Sequence, residues 1–324
     1  MKRMAIFASV FGLACAASLA QAEDKVSLRL DWVFGTEHSG IFVAQQKGFF
    51  KEANIDVRIM PGEGSSVTVK LVGTGDADFG YATADQAMLA YSRDLPVVTT
   101  AVILQSSPSA IVFPKKSGIK NLKDLYGKRL GLQLKSAVER QWRAVSKIQK
   151  IDNSKINEVP ADLAIAQLII AGRIDAGVAF FFNDGIRPIA EGIEMDWILF
   201  RDVGLPMYSS GLIVNAETIK KNPDLVARFT RAFVRGWTYA KANPEEAYQL
   251  VIKAQPSLDN KFNKLKLPAV LTLLDSEDTK KNGVGYSTKA GWDSLMKTLI
   301  DLELIKTPID TDKVYTTKFL AEKK

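Results

Sequence analysis

Val26, Leu28 and Leu30 alternate with Lys25, Ser27 and Arg29, and this period of two predicts a strand over 26–30. The period then lengthens: residues 41–50 read as an amphipathic helix, 56–60 as a second strand and 67–72 as a helix that Ser65-Ser66 could cap and Gly73-Thr74-Gly75 ends. A third strand over 77–81 leads through Thr83-Ala84-Asp85 into a helix over 86–92. After Pro96, residues 97–103 and 110–113 read as strands of a core sheet.

A similar layout starts again after Gly118, with a strand over 129–132, a loop at Lys135-Ser136-Ala137 and a helix from Glu139 to about Lys150. Residues 163–171 predict a helix, and 175–182 a buried strand running into Phe180-Phe181-Phe182-Asn183-Asp184. Residues 211–215 form one more strand-like run. Asn222-Pro223 and Asn243-Pro244 each put a cap residue before a proline, which starts helices over 223–242 and 244–253 that should pack on the first half.

Alternation of strands and helices predicts an α/β fold on a largely parallel sheet. The repeated layout predicts two lobes: 23–113 with 210–324 as lobe one, 114–209 as lobe two, crossing near Phe113-Pro114 and again over 206–209. Loops at the carboxyl ends of parallel strands are where open α/β sheets hold ligands, so a cleft between the lobes is expected.

The first 22 residues carry a different pattern. Lys2 and Arg3 precede an apolar stretch from Met4 to Leu19 and a small-x-small site at Ala20-Gln21-Ala22, which predicts a cleaved secretory signal and export to the periplasm. A retained membrane helix and a lipoprotein signal at Cys15 are the alternatives. The stretch is short and rich in Ala and Ser, and Gly12 stands where a lipoprotein signal usually carries a larger aliphatic residue.

Cleavage would remove Lys2, Arg3 and the single cysteine, so the 43 basic side chains fall to 41 against 36 acidic ones, net +5. Neither a disulfide nor a cysteine metal site would then be possible. The basic residues are scattered in pairs such as Lys115-Lys116 and Lys280-Lys281, which mark solvated helix ends or turns and give no reason to expect nucleic acid as a partner.

Asp31-Trp32, His38, Lys47-Gly48-Phe49-Phe50, Gly73-Thr74-Gly75-Asp76-Ala77-Asp78-Phe79-Gly80 and Leu122-Lys123-Asp124-Leu125-Tyr126-Gly127-Lys128 occur in that order. In these segments the chain resembles the periplasmic solute-binding proteins of ABC importers, in the branch of thiamine-pyrimidine-precursor, aliphatic sulfonate, taurine and nitrate binders. Asp-Trp followed by a His is most similar to the pyrimidine-precursor members. The resemblance implies a type II fold of two lobes closing on a small molecule, a monomer, and partners in a membrane permease and its ATPase.

Trp32, just past the first strand, offers a stacking face for a planar ring; core packing is the plain alternative, and the resemblance favours the ligand. His38 is the only histidine, so it can belong to no His metal cluster; it could donate to a ring nitrogen or phosphate, or merely cap a helix. Ser65, Ser66 and Ser136 precede helices, where hydroxyls and free N–H groups can meet a ligand acceptor or serve as N-caps. Thr83 and Asp85 fall in the family's ligand loop. Phe181, Asn183 and Asp184 end the buried strand of lobe two, and Asn183 offers both a donor and an acceptor to an aminopyrimidine edge.

Asp31, Asp85 and Asp184 converging on one cleft argue for a ligand bearing amino groups, since an unpaired buried carboxylate is costly. Lys135 and Arg140, flanking Ser136, could instead hold a carboxylate, sulfonate or phosphate. The family also contains eukaryotic pyrimidine synthases, which use a lysine, a histidine and a cysteine cluster. The matching positions here read Ala82, Gln86 and Met207-Tyr208-Ser209-Ser210. With one histidine, no nucleophile elbow, no metal spacing and no phosphate loop, binding is expected rather than catalysis, with no cofactor and no catalytic residue. A purely structural envelope role fits poorly, because the chain has no repeat of fixed short period and reads as two compact lobes.

Overall fold

The computed structural model describes residues 22–134, 136–161 and 164–320. Apart from Ala22, the predicted signal segment lies outside the described residues, as does Lys135.

Two five-stranded sheets share one layout. The first has the order β2-β1-β3-β10-β4, built from β1 (Asp24–Arg29), β2 (Ile55–Met60), β3 (Phe79–Thr83), β4 (Val97–Val102) and β10 (Ser210–Asn215). The second has the order β7-β6-β8-β5-β9, from β5 (Ser109–Pro114), β6 (Arg129–Leu132), β7 (Asn157–Pro160), β8 (Ala176–Phe180) and β9 (Met195–Leu199). The α/β, two-lobed expectation holds.

The sheets are mixed rather than largely parallel. β10 runs antiparallel to both β3 and β4, and β5 antiparallel to both β8 and β9. Each antiparallel strand adjoins a crossing, where the chain enters or returns to a sheet from its far end. The expected division at 113/114 also shifts, because β5 exchanges its ladder bonds with β8 and β9 and so lies in the second lobe from Ser109 onward. Its apolar run would suit either sheet; only partner strands decide.

Helix Pro223–Ala242 spans the predicted residues, and the Asn222 side chain accepts from Leu225 N at 3.1 Å as its cap. It packs on helix Ser39–Gln46 at a close approach: a Cβ on Gly40 would sit 2.2 Å from the Trp237 ring, and one on Gly236 2.1 Å from Gly40 O. Phe229 of the same helix stacks on Phe79 of β3 at 3.8 Å, which fixes the helix layer against the first sheet.

Helix Asn260–Leu271, which the sequence reading did not anticipate, touches both lobes. Its Asn263 accepts a hydrogen bond from Thr36 Oγ1 at 3.1 Å in the first, and its Phe262 packs on Ile186 and Ala190 in the second.

Candidate functional site

A cavity of about 660 Å³ lies between the sheets, walled by both lobes and by both crossings. Its residues sit where the strands end. Asp31 and Trp32 follow β1, Thr83 closes β3, Ser136 follows β6, and Asn183 and Asp184 follow β8. At the carboxyl ends of strands the backbone leaves the sheet, so side chains there face a common crevice.

Nine of the eleven expected residues meet in this wall: Asp31, Trp32, Ser65, Ser66, Thr83, Asp85, Ser136, Asn183 and Asp184. Trp32 is 43% exposed, which excludes core packing and leaves its face open. Ser136 caps helix Ala137–Ile148 by accepting from Glu139 N at 3.1 Å, with its loop on the wall. Ser65 is not a cap but the first residue of helix Ser65–Thr74, with Gly64 at the cap position; its Oγ accepts from Thr83 N at 3.2 Å and joins two wall loops.

Two expectations are corrected. His38 does not line the cavity: it is fully buried behind the wall, with Nε2 2.9 Å from Asp31 Oδ1. Phe181 is 3% exposed and packs on Trp197 at 5.0 Å, whereas its neighbours Phe180 and Phe182 face the cavity. The strand expected to run to Phe182 ends at Phe180, and Phe181 opens a π-helical turn, Phe181–Gly185, that lays its ring on Trp197 and away from the cavity.

Sequence reasoning also missed wall residues. Tyr81 lies two residues before Thr83 on the same face of β3, a spacing that could have found it. Glu37, Gln141 and Tyr208 come from a turn, a helix face and a crossing, which only the tertiary fold brings together.

The polar groups form a connected floor. Asp31 Oδ2 accepts from Ser210 Oγ at 3.2 Å while Oδ1 faces His38, so the carboxylate is held from two directions. Burial, reinforced by the nearby Asp31 carboxylate, pushes the Tyr81 phenol well above its ordinary range. Glu37 lies 2.7 Å from Lys266 Nζ; burial, the largest influence, opposes its ionisation, yet Lys266, His38 and a backbone hydrogen bond together outweigh it and hold the carboxyl below the usual range. On the other lobe, Asp184 accepts from Ala166 N at 3.1 Å, but burial pushes its carboxyl up to about 6. Among the described residues no group of three or more His, Cys, Asp or Glu could hold a metal ion, and no helix is long and apolar enough to cross a membrane.

Two similar sheets, two crossings and a ligand-sized cleft between them define a two-lobed α/β protein of the periplasmic-binding-protein fold. The periplasmic aliphatic sulphonate binding protein SsuA from Escherichia coli shares that fold with a TM-score of 0.70 at 12% identity, over 90% of this chain and 97% of that one. The chain belongs to the NMT1/THI5-like family, whose pattern matches residues 35–247. Among its relatives are a Legionella pneumophila 4-amino-5-hydroxymethyl-2-methylpyrimidine phosphate synthase, 27% identical over 94% of this chain and 95% of that protein, and a Halalkalibacterium halodurans formylaminopyrimidine-binding protein, 21% identical over 96% of each.

Proposed function

We propose that this protein is the periplasmic substrate-binding component of an ABC importer. It captures a small amino-substituted heteroaromatic solute, such as the thiamine precursors hydroxymethylpyrimidine or formylaminopyrimidine, and delivers it to a permease. The observation that carries the reading is the wall itself: an open indole face at Trp32 with Asp31 and Asp85 on one lobe and Asp184 on the other. Acceptors on both sides of a stacking surface suit a flat ring bearing amino groups, and they repel a sulfonate or nitrate. The name of the Halalkalibacterium relative supports the same ligand class.

Capture works by closure. Solute held on the lobe-one wall gains further contacts when Asn183 and Asp184 approach, which moves an open–closed equilibrium toward closed. The permease then reads the closed shape. Lobe one comprises residues 23–108 and 210–324 in this reading, with lobe two at 109–209.

The family also includes proteins named as synthases, and for this chain we favour binding without catalysis. Ala82 lies buried in β3, Gln86 carries no titratable group, and the sole histidine is engaged by Asp31. A thermal-shift panel of aminopyrimidines, alkanesulfonates, taurine and nitrate tests the ligand class; a true ligand at 100 times its Kd adds ~2.7 kcal/mol. Stabilisation by sulfonates alone would point to Arg140 and the start of helix Ala137–Ile148 as an anion site instead.

A further inference from the structure

His38 is sealed from solvent on helix-side packing below the cavity floor, and its ring meets Tyr81 edge-on at 5.7 Å. Nε2 faces Asp31 Oδ1 at 2.9 Å, and among the described residues Nδ1 has no hydrogen-bond partner. Two arrangements could satisfy that contact. Either Nε2–H donates to the carboxylate, or a protonated carboxyl donates to a bare Nε2 while the imidazole proton sits on Nδ1. Nδ1 is without a partner in either case, so the choice rests on basicity: an imidazole nitrogen holds a proton more strongly than a carboxylate oxygen does, and the shared proton belongs on Nε2.

With Ser210 Oγ donating to Oδ2, both Asp31 oxygens then receive a donor from the protein, and Asp31 can offer a ligand only its remaining lone pairs. Resting on the ligand class proposed above, we infer that His38 is a positioning residue that sets the specificity of the cleft. By donating to Asp31 it fixes that carboxylate as a pure acceptor, so the site selects rings whose polar edge donates, such as a 4-amino edge, over the isosteric 4-oxo edge.

The side chains around this unit are Glu37 with its partner Lys266, Tyr81, and Ser210 from the crossing. Of these, only Ser210 is hydrogen-bonded to Asp31, and through Oδ2, so His38 is the partner of Oδ1.

The test uses titration calorimetry with a 4-aminopyrimidine and its 4-oxo counterpart on the wild type, His38→Leu and His38→Gln. Loss of the charge-assisted bond should weaken the amino ligand by about tenfold or more in His38→Leu and collapse the amino-over-oxo ratio, and His38→Gln, which keeps a donor, should recover most of that ratio. A merely structural role would lower the melting temperature and leave the ratio unchanged in the folded fraction, which would overturn the inference. Because the chain has one histidine, ¹⁵N-histidine labelling gives a single imidazole signal pair from the unliganded wild type. A proton on Nε2 is expected, and an Nδ1–H tautomer would refute the positioning role even if the variants fail to fold. If the wild type binds neither pyrimidine, the ligand class fails while the tautomer still reports on His38.

Discussion

Lys266 Nζ lies 2.7 Å from Glu37 Oε2, with side chains only 5% and 12% exposed, and so ties helix Asn260–Leu271 to the turn that follows Trp32. Breaking a buried pair from one side strands the other charge. Lys266→Met should therefore destabilise the protein by roughly 3–5 kcal/mol, as read by urea denaturation. An unchanged midpoint would mean that Glu37 finds water or another donor.

The same pair sets a pH dependence. Because the folded Glu37 carboxyl lies below its usual range, its stabilisation is present in full above the unfolded value of about 4.5 and is lost as the pH falls through the folded one. The wild type should thus exceed Glu37→Gln in stability at neutral pH and converge with it on acidification, as measured by denaturation midpoints across that range.

Asp184 has the opposite sign. Burial raises its carboxyl from 3.8 to about 6, so the native state binds more protons than the unfolded chain between those values and stability falls as pH rises through them. Asp184→Asn keeps an oxygen for Ala166 N without the charge. It should be more stable than wild type at pH 7 by up to about 3 kcal/mol and equal to it below pH ~4. A flat difference between pH 4 and 7 would show that Asp184 is solvated.

Arg187 in the second lobe pairs with Asp259, which precedes the bridging helix, and stacks on Phe262 at 3.7 Å. With side chains 32% and 48% exposed, the pair adds no more than about 1 kcal/mol to global stability. Arg187→Met spares Asp259 as the cap for Phe262 N and should move the unliganded population toward open forms, seen as a larger radius of gyration in X-ray scattering. An unchanged radius would remove the pair from control of the hinge.

Most of the wall was legible because strand ends announce themselves locally. Alternating apolar residues followed by Asp31-Trp32, by Thr83 and by Asn183-Asp184 mark where the chain leaves a sheet, whichever partners the strand finds. What stayed hidden needs the partners. β5 reads as a strand of either lobe until β8 and β9 bind it; Phe181 differs from Phe180 only in the side it faces; and His38 stands behind Asp31 because one turn of 3-10 helix, Thr36–His38, folds it inward. Lys266, more than 200 residues beyond Glu37 in the chain, left no local trace as its partner.

Trp32 is half in solvent, so its loss should cost little stability. Trp32→Ala should weaken ligand binding by ~1–3 kcal/mol while the melting temperature of the free protein hardly moves. An unchanged Kd would remove the indole face from the site.

The most direct test of the binding account is calorimetric titration of the purified protein with 4-amino-5-hydroxymethyl-2-methylpyrimidine and its formylaminopyrimidine relative, followed by mass spectrometry of the released ligand. The account predicts saturable binding of at least one of them, one molecule per chain, and recovery of that ligand unaltered. Binding confined to alkanesulfonates or nitrate, or release of a chemically changed pyrimidine, would contradict it.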